Sequence, residues 1–267
     1  MIDRGKHNVL GVRIDAVDYE GAVSRVIEAA RDRRPLTVSA LAVHGVMTGV
    51  LDRVHRHRLN QFDLLVPDGQ PVRWALNSLH RTGLKQRVYG PNLMLHVCER
   101  AAADGLPIYL YGSTNEVLSA LSKNLVERYP SLKIAGTRPS LFRQMTASES
   151  DEVATEIRSS GAAITFVALG CPRQEVFAYE MRNRIGMPIL AVGAAFPFHA
   201  GTLSQAPRFF QDRGLEWLYR LASEPRRLWR RYVFLNPMYL TLLFCQLIRV
   251  RTLDPSGKPP AGELLFG

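Results

Sequence analysis

The sequence predicts an α/β protein: an open, mostly parallel sheet with helices on both faces, followed by a helical C-terminal appendage. Three observations carry that prediction. Strand-like and helix-like stretches alternate through most of Val9 to Gly201, the pattern of βαβ units. The strand-like stretches are almost wholly apolar, as in Ile164-Thr-Phe-Val-Ala-Leu169, and a strand covered on both faces has no polar side to show. After about Leu203 the composition shifts to arginine, aromatic and apolar residues.

Val9 to Ile14 reads as a first strand. Asp18 is placed to cap a helix from Tyr19 to Arg31, whose Ala22, Val23, Val26, Ile27 and Ala30 share one side. Leu36 to Leu41 is a second strand, with Ser39, Ala42 and His44 at or just past its carboxyl end. A lone histidine such as His44 is more often structural than catalytic. Phe62 to Val66 is a short strand ending in Pro67-Asp68-Gly69. That triplet is first a turn signal, and it also sets the Asp68 carboxylate at a strand end, where it can act as a base. Gln70 to Leu79 reads as a helix. Arg87-Val-Tyr-Gly90-Pro91 is a break, and Pro91 suits the start of a helix over Asn92 to Ala103.

Leu106 to Leu110 is the next strand, followed by Tyr111-Gly112-Ser113-Thr114. Small residues at such a turn let a phosphate approach the backbone, and Ser113 or Thr114 is equally a cap for the helix Glu116 to Tyr129. Leu132 to Ala135 is a strand, Gly136 to Met145 a basic loop, and Thr146 to Ser159 a polar helix. Then comes Ile164 to Leu169, broken by Gly170-Cys-Pro172, with Arg173, Gln174 and Glu175 opening a helix that runs to about Arg184. Ligands of open α/β sheets sit at the carboxyl ends of strands, and a helix start offers free N–H groups to an anion. Pro188 to Val192 is a last strand, and Gly193 to Gly201 a loop with aromatic residues. The layout is Rossmann-like, yet there is no Gly-x-Gly-x-x-Gly dinucleotide fingerprint and no P-loop lysine.

The net charge is +10, which points to an anionic partner: a phosphorylated substrate, an acidic lipid or nucleic acid. The cysteines, Cys98, Cys171 and Cys245, are odd in number and widely spaced, so no disulfide framework or paired metal motif is expected, and a cytoplasmic setting is the default. Met1 to His7 lacks the apolar stretch of a signal peptide. From Arg208 to Arg231 arginines outnumber acids, with Trp217, Tyr219, Trp229 and Tyr232 interleaved, and Pro225 divides the segment into two expected helices. Val233 to Val250 is strongly apolar but holds Asn236, Pro237, Gln246 and Arg249, poor for a membrane span and better for a helix lying at an interface or packed on the body. Residues 253–267, rich in proline and glycine, read as a flexible tail. The domain plan is therefore a catalytic α/β unit over 1–203, a basic and apolar appendage over 204–252, and the tail.

Together and in order, Pro67-Asp-Gly69, Arg87-Val-Tyr-Gly90, Leu110-Tyr-Gly-Ser113, Leu169-Gly-Cys-Pro-Arg-Gln-Glu175, Val192-Gly-Ala-Ala-Phe196, Gln205-Ala-Pro207 and Gly214-Leu-Glu-Trp-Leu-Tyr-Arg-Leu221 resemble the bacterial WecG/TagA/CpsF glycosyltransferases, family 26. The resemblance implies an inverting, metal-independent transfer of a sugar from a UDP-sugar to a polyprenyl-diphosphate-linked saccharide, in cell-surface polysaccharide assembly. It implies Asp68 as general base and Gln174 and Glu175 as donor contacts. The candidate donor-binding set is Ser39, His44, Arg87, Gly112, Ser113, Gly170, Arg173, Gln174 and Glu175, and the acceptor diphosphate falls to Arg220, Arg227 and Arg231. No metal or other cofactor is expected, and no Asp-x-Asp triplet is present. The expected partners are the UDP-sugar, the lipid-linked acceptor and, through residues 208–250, the inner face of the cytoplasmic membrane. A homo-oligomer stays open. The chain departs from the family pattern at Ala42, Pro197 and Gln205. Those departures keep a second reading in view, a catalytically inactive UDP-binding scaffold. The charge keeps a third, a nucleic-acid-binding protein.

Overall fold

The structure is a computed structural model that describes the chain path over residues 1–267 and the side chains of all residues except Arg208, Asp212, Arg227, Arg230 and Arg231. Its centre is a six-stranded parallel sheet in the order β4-β3-β8-β7-β5-β6, with β3 (Leu36–Leu41), β4 (Leu64–Pro67), β5 (Ile108–Gly112), β6 (Ile134–Arg138), β7 (Ile164–Ala168) and β8 (Pro188–Ala191). Each of β4, β5, β7 and β8 is buried along its whole length, which is why those stretches carry no alternation.

Two apolar layers cover the sheet. One contains residues of α1 (Tyr19–Arg31), α5 (Gly90–Asp104), α6 (Asn115–Arg128) and α9 (Ala195–His199). The other contains residues of α2 (Val43–Leu51), α3 (Arg53–Asn60), α4 (Gln70–His80), α7 (Ala147–Ser159) and α8 (Arg173–Ile185). The caps are local. Asp18 accepts from the Gly21 N–H ahead of α1, and Thr146 with Glu149 forms a reciprocal capping box on α7.

The first expected strand is instead the bend of a hairpin, β1 (Asp3–Val9) against β2 (Val12–Val17). Leu10 and Gly11 both have left-handed backbone (φ +54° and +84°), as a two-residue hairpin turn requires. The apolar run Val9-Leu-Gly-Val12 therefore bridges two strands. Buried Asp15 ties the hairpin to the main sheet: it pairs with Lys6 (3.0 Å) and Arg25 (3.3 Å) and accepts from the Leu65 N–H of β4 (2.7 Å). The expected loop at Gly193 to Gly201 contains the short α9, and β6 runs on to Arg138 where a loop was expected from Gly136.

The appendage comprises α10 (Arg208–Asp212), α11 (Glu216–Ser223), α12 (Pro225–Arg230), a π-helical turn (Arg231–Leu235) and α13 (Asn236–Leu247). Pro225 does separate two helices, as expected, but α10 adds a third ahead of them. α13 packs on α2 and α4. It is pinned by buried Tyr239, whose hydroxyl donates to the Pro71 carbonyl (3.2 Å), and by Gln246, which accepts from Leu10 N–H (2.9 Å) and donates to the Asn8 carbonyl (3.0 Å). An adjacent face exposes Leu240, Phe244 and Leu247.

Residues 253–267, read from composition as a flexible tail, run back along the body. The carbonyls of Leu253, Asp254 and Pro255 accept from Asn8, Arg56 and Asn60, the Lys258 N–H donates to the Arg53 carbonyl, and Phe266 bridges to Gln144. Composition carries no sign of this docking, because most of it is made by tail backbone groups, with only Leu253, Leu265 and Phe266 packing on the core.

Candidate active site

Two adjoining cavities open at the carboxyl ends of the strands. The strand-end cavity is walled by the ends of β3, β7 and β8 and by Ser113, Gly170, Gln174, Glu175, Gly193 and Pro197. The helices that follow β7 and β8, α8 and α9, lie on opposite faces of the sheet. A crevice between such strands is where an open α/β sheet takes its ligand. The second cavity lies between α2, α4 and the appendage, with His44, Arg87, Glu216, Trp217, Tyr232 and Asn236 in its wall. Ala42, Asp68, Tyr89 and Arg220 line both.

Asp68 therefore stands at the seam. Its N–H donates to the Leu41 carbonyl (3.1 Å), which fixes the turn after β4 beside the end of β3. Asp68 is half-buried and lines both cavities. Burial pushes its carboxyl up to about 7. Arg87, the Gly90 N–H and Arg220 pull against that rise, and Glu216 adds to it. A carboxylate held near neutrality is suited to accept a proton from a substrate and release it afterwards.

Glu175 and Gln174 form the floor of the strand-end cavity. One Glu175 carboxylate oxygen accepts from the Ser39 hydroxyl and the Gln174 amide, both at 2.9 Å. The other oxygen, and the Gln174 Oε1, are buried without a well-formed hydrogen bond, while the Cys171 thiol and the Glu175 N–H also favour the ionised carboxylate. Burial raises the Glu175 carboxyl, opposed by the hydrogen bonds from Gln174 and Ser39. Two buried acceptors at a cavity floor leave places for hydroxyl or N–H groups of a ligand.

Of the candidate donor residues, Gln174, Glu175, Gly170 and Ser113 come together around the strand-end cavity. Ser39 is wholly buried and reaches the cavity only through Glu175. Gly112 lies against β7: with φ +108°, a Cβ there would stand 2.6 Å from the Ala168 carbonyl oxygen, so it supports Ser113 from below. Arg173 is exposed on the first turn of α8 and lines neither cavity. His44 and Arg87 line the appendage cavity and not the strand-end one, because α2 and the Arg87 segment turn toward the appendage. Of the acceptor arginines, Arg220 reaches both cavities, while Arg227 and Arg231 lie outside the described residues. Among the described residues no three His, Cys, Asp or Glu side chains converge on a common point.

Glu216 is the residue that sequence reasoning missed. It pairs with Arg87 at 2.6 Å, both side chains largely buried, and so locks α11 onto the catalytic body. The signal was an acid set four residues before Arg220 inside an arginine-rich segment. Counting it only toward net charge conceals its partner. Tyr89, Tyr232 and Asn236 are further wall residues of the same cavity.

A parallel α/β sheet with a carboxylate at the seam of two ligand-sized clefts, one roofed by a cationic appendage, has the layout of a two-substrate transferase. The glycosyl transferase WecG/TagA/CpsF family model matches residues 7–253, and the chain belongs to that family of glycosyltransferases. Over 184 residues, 68% of this chain and 68% of the relative, it is 30% identical to the N-acetylglucosaminyldiphosphoundecaprenol N-acetyl-beta-D-mannosaminyltransferase of Bacillus spizizenii. The resemblance carried by the sequence motifs, and the glycosyltransferase class it implied, are both borne out.

Proposed function

We propose that this chain is an inverting, metal-independent glycosyltransferase that moves a sugar from a UDP-sugar to a polyprenyl-diphosphate-linked saccharide, on the inner face of the cytoplasmic membrane. The observation that carries the reading is the position of Asp68, shared by the strand-end cavity and the appendage cavity. The donor takes the strand-end side, with its sugar over Gln174 and Glu175. The acceptor enters beneath the appendage, as suits a relative whose name gives it an undecaprenyl-diphosphate acceptor.

Asp68 takes the proton of the acceptor hydroxyl as that oxygen bonds to the anomeric carbon. The bond from the anomeric carbon to the UDP oxygen breaks on the opposite side, and UDP leaves with the bonding electrons. Arg220, which faces both cavities, is placed to stabilise the phosphate charge that develops. Catalysis at the bilayer is supported by the exposed apolar face of α13 with Phe234 and Trp229 beside it. An apolar face left in water is costly, and an interface covers it. No helix among the described residues is long and apolar enough to cross a membrane, so the face suits lying on a bilayer.

The test is a panel of UDP-sugars against lipid-linked saccharides in detergent, with the anomeric configuration of the product determined. Transfer with inversion, undiminished by EDTA, is expected. UDP binding without turnover across the panel would instead establish the scaffold reading.

A further inference from the structure

Phe142 is a large aromatic residue left 58% exposed, with left-handed backbone at φ +56°. A bulky residue rarely adopts that conformation unless its surroundings impose it. Here they do. The Ser140 N–H donates to the Ser113 carbonyl (3.0 Å), and the Phe142 N–H donates to the Ser140 hydroxyl (2.9 Å). That hydroxyl in turn donates to the buried Gly267 carbonyl (2.7 Å). The Gly267 N–H returns to the Arg143 carbonyl (3.1 Å), and the Met145 N–H to the Leu265 carbonyl (3.0 Å). On the far side, Arg143 forms a bidentate pair with Glu149 of the α7 capping box. The segment is thus held from three directions, and the ring that projects from it lines the strand-end cavity.

An exposed apolar ring displayed in the wall of a cavity floored by Gln174 and Glu175, at the expense of backbone strain, matches a flat partner with an apolar face. A nucleobase has one, and stacking on an aromatic side chain is a substantial and sequence-tolerant source of affinity. We propose that Phe142 is the platform on which the base of the nucleotide donor stacks, and that residues 265–267 clasp it in place. The proposal rests on the nucleotide-sugar reading above and adds a function for a segment beyond residue 253, where the family match stops. Phe142 is a binding residue; Ser140 and the clasp are positioning elements that act through it.

The test is equilibrium binding of UDP, ADP and GDP, with steady-state kinetics, on full-length wild type, Phe142→Ala, Phe142→Trp, Ser140→Ala and the Ser140→Ala/Phe142→Ala double variant. Phe142→Ala is expected to weaken UDP by about tenfold and raise the donor KM alike, with kcat and melting temperature nearly unchanged. Phe142→Trp restores binding. Ser140→Ala weakens UDP by about threefold, and the double variant binds no worse than Phe142→Ala alone. Wild-type affinity in Phe142→Ala overturns the platform. A double variant that multiplies the two losses overturns the clasp. If wild type ignores UDP but binds ADP or GDP in a Phe142-dependent way, the platform stands and the UDP-sugar reading falls. If it binds none of the three, both fall.

Discussion

The two cavities that share Asp68 are built in different ways. The strand-end cavity is made by consecutive turns of one buried parallel sheet, and its floor is tied together by the Ser39–Glu175–Gln174 hydrogen bonds. The appendage cavity takes part of its wall from Glu216, Trp217, Arg220, Tyr232 and Asn236, residues far along the chain from the sheet. The floor of the first is set by the sheet itself, with Arg220 and Phe142 added to its wall from outside the sheet. The other is complete only when the appendage is seated, with the Arg87–Glu216 pair holding α11 and the Tyr239 and Gln246 hydrogen bonds holding α13. In the proposed reaction, donor binding and acceptor binding therefore answer to different parts of the fold.

The largest expected effect strikes both sides at once. Asp68→Asn is expected to lower kcat by about a thousandfold or more while UDP affinity persists, measured by turnover and calorimetry. Because the base form is required, wild-type kcat/KM rises with pH through about 7 and levels above it. The sign for stability is opposite. A carboxyl raised in the folded state binds its proton more tightly there than in the unfolded chain, so that contribution is full below about pH 4 and lost as pH rises through about 7. Asp68→Asn is accordingly expected to melt higher than wild type at pH 8. An equal or lower melting temperature would show that the carboxyl is not raised.

The next variant separates the two sides. Glu216→Gln is expected to cost roughly tenfold in kcat, with UDP affinity kept within about twofold. It also removes a negative neighbour and frees Arg87 for Asp68, so the acid limb of the pH–rate profile moves down. A loss of UDP binding instead would place the donor under the appendage and break the comparison. Leu240→Ser with Phe244→Ser is expected to weaken binding to anionic vesicles about fivefold and leave transfer to a water-soluble acceptor analogue intact. The smallest effect belongs to the donor floor. Gly193 has φ +51°, and a Cβ there would stand 2.9 Å from the Gln174 Oε1, so Gly193→Ala is expected to raise the donor KM about threefold with little change in kcat.

The same contrast governs what could be read from the sequence. The sheet was legible because parallel strands buried on both faces are continuous apolar runs, and Asp68 because Pro67-Asp-Gly69 closes one of them. Gln174 and Glu175 were legible for the same reason, at the end of β7. The hairpin was not, because Leu10 is buried and apolar although it sits in the turn, so no polar residue marks the bend. The side on which His44 and Arg87 fall depends on where the appendage docks, and no local pattern encodes that. Glu216 meets Arg87 across 129 residues of sequence, and such a pair leaves no spacing to recognise.

The contacts of the hairpin with the end of the chain bear on how the molecule is made. The Leu10 N–H finds its acceptor 236 residues later, at Gln246, and the Asn8 amide finds its own 245 residues later, at Leu253. Closing loops of that length is slow, and a chain emerging from the ribosome displays its first strands long before their partners exist. The hairpin is thus synthesised long before the partners that complete it. α13, which closes it, belongs to the same appendage as Glu216, so the hairpin and the appendage cavity are completed by the same late part of the chain. A chain cut before the appendage would hold the sheet, with Asp68, His44 and Arg87, and lack the wall that Glu216, Trp217, Arg220, Tyr232 and Asn236 supply.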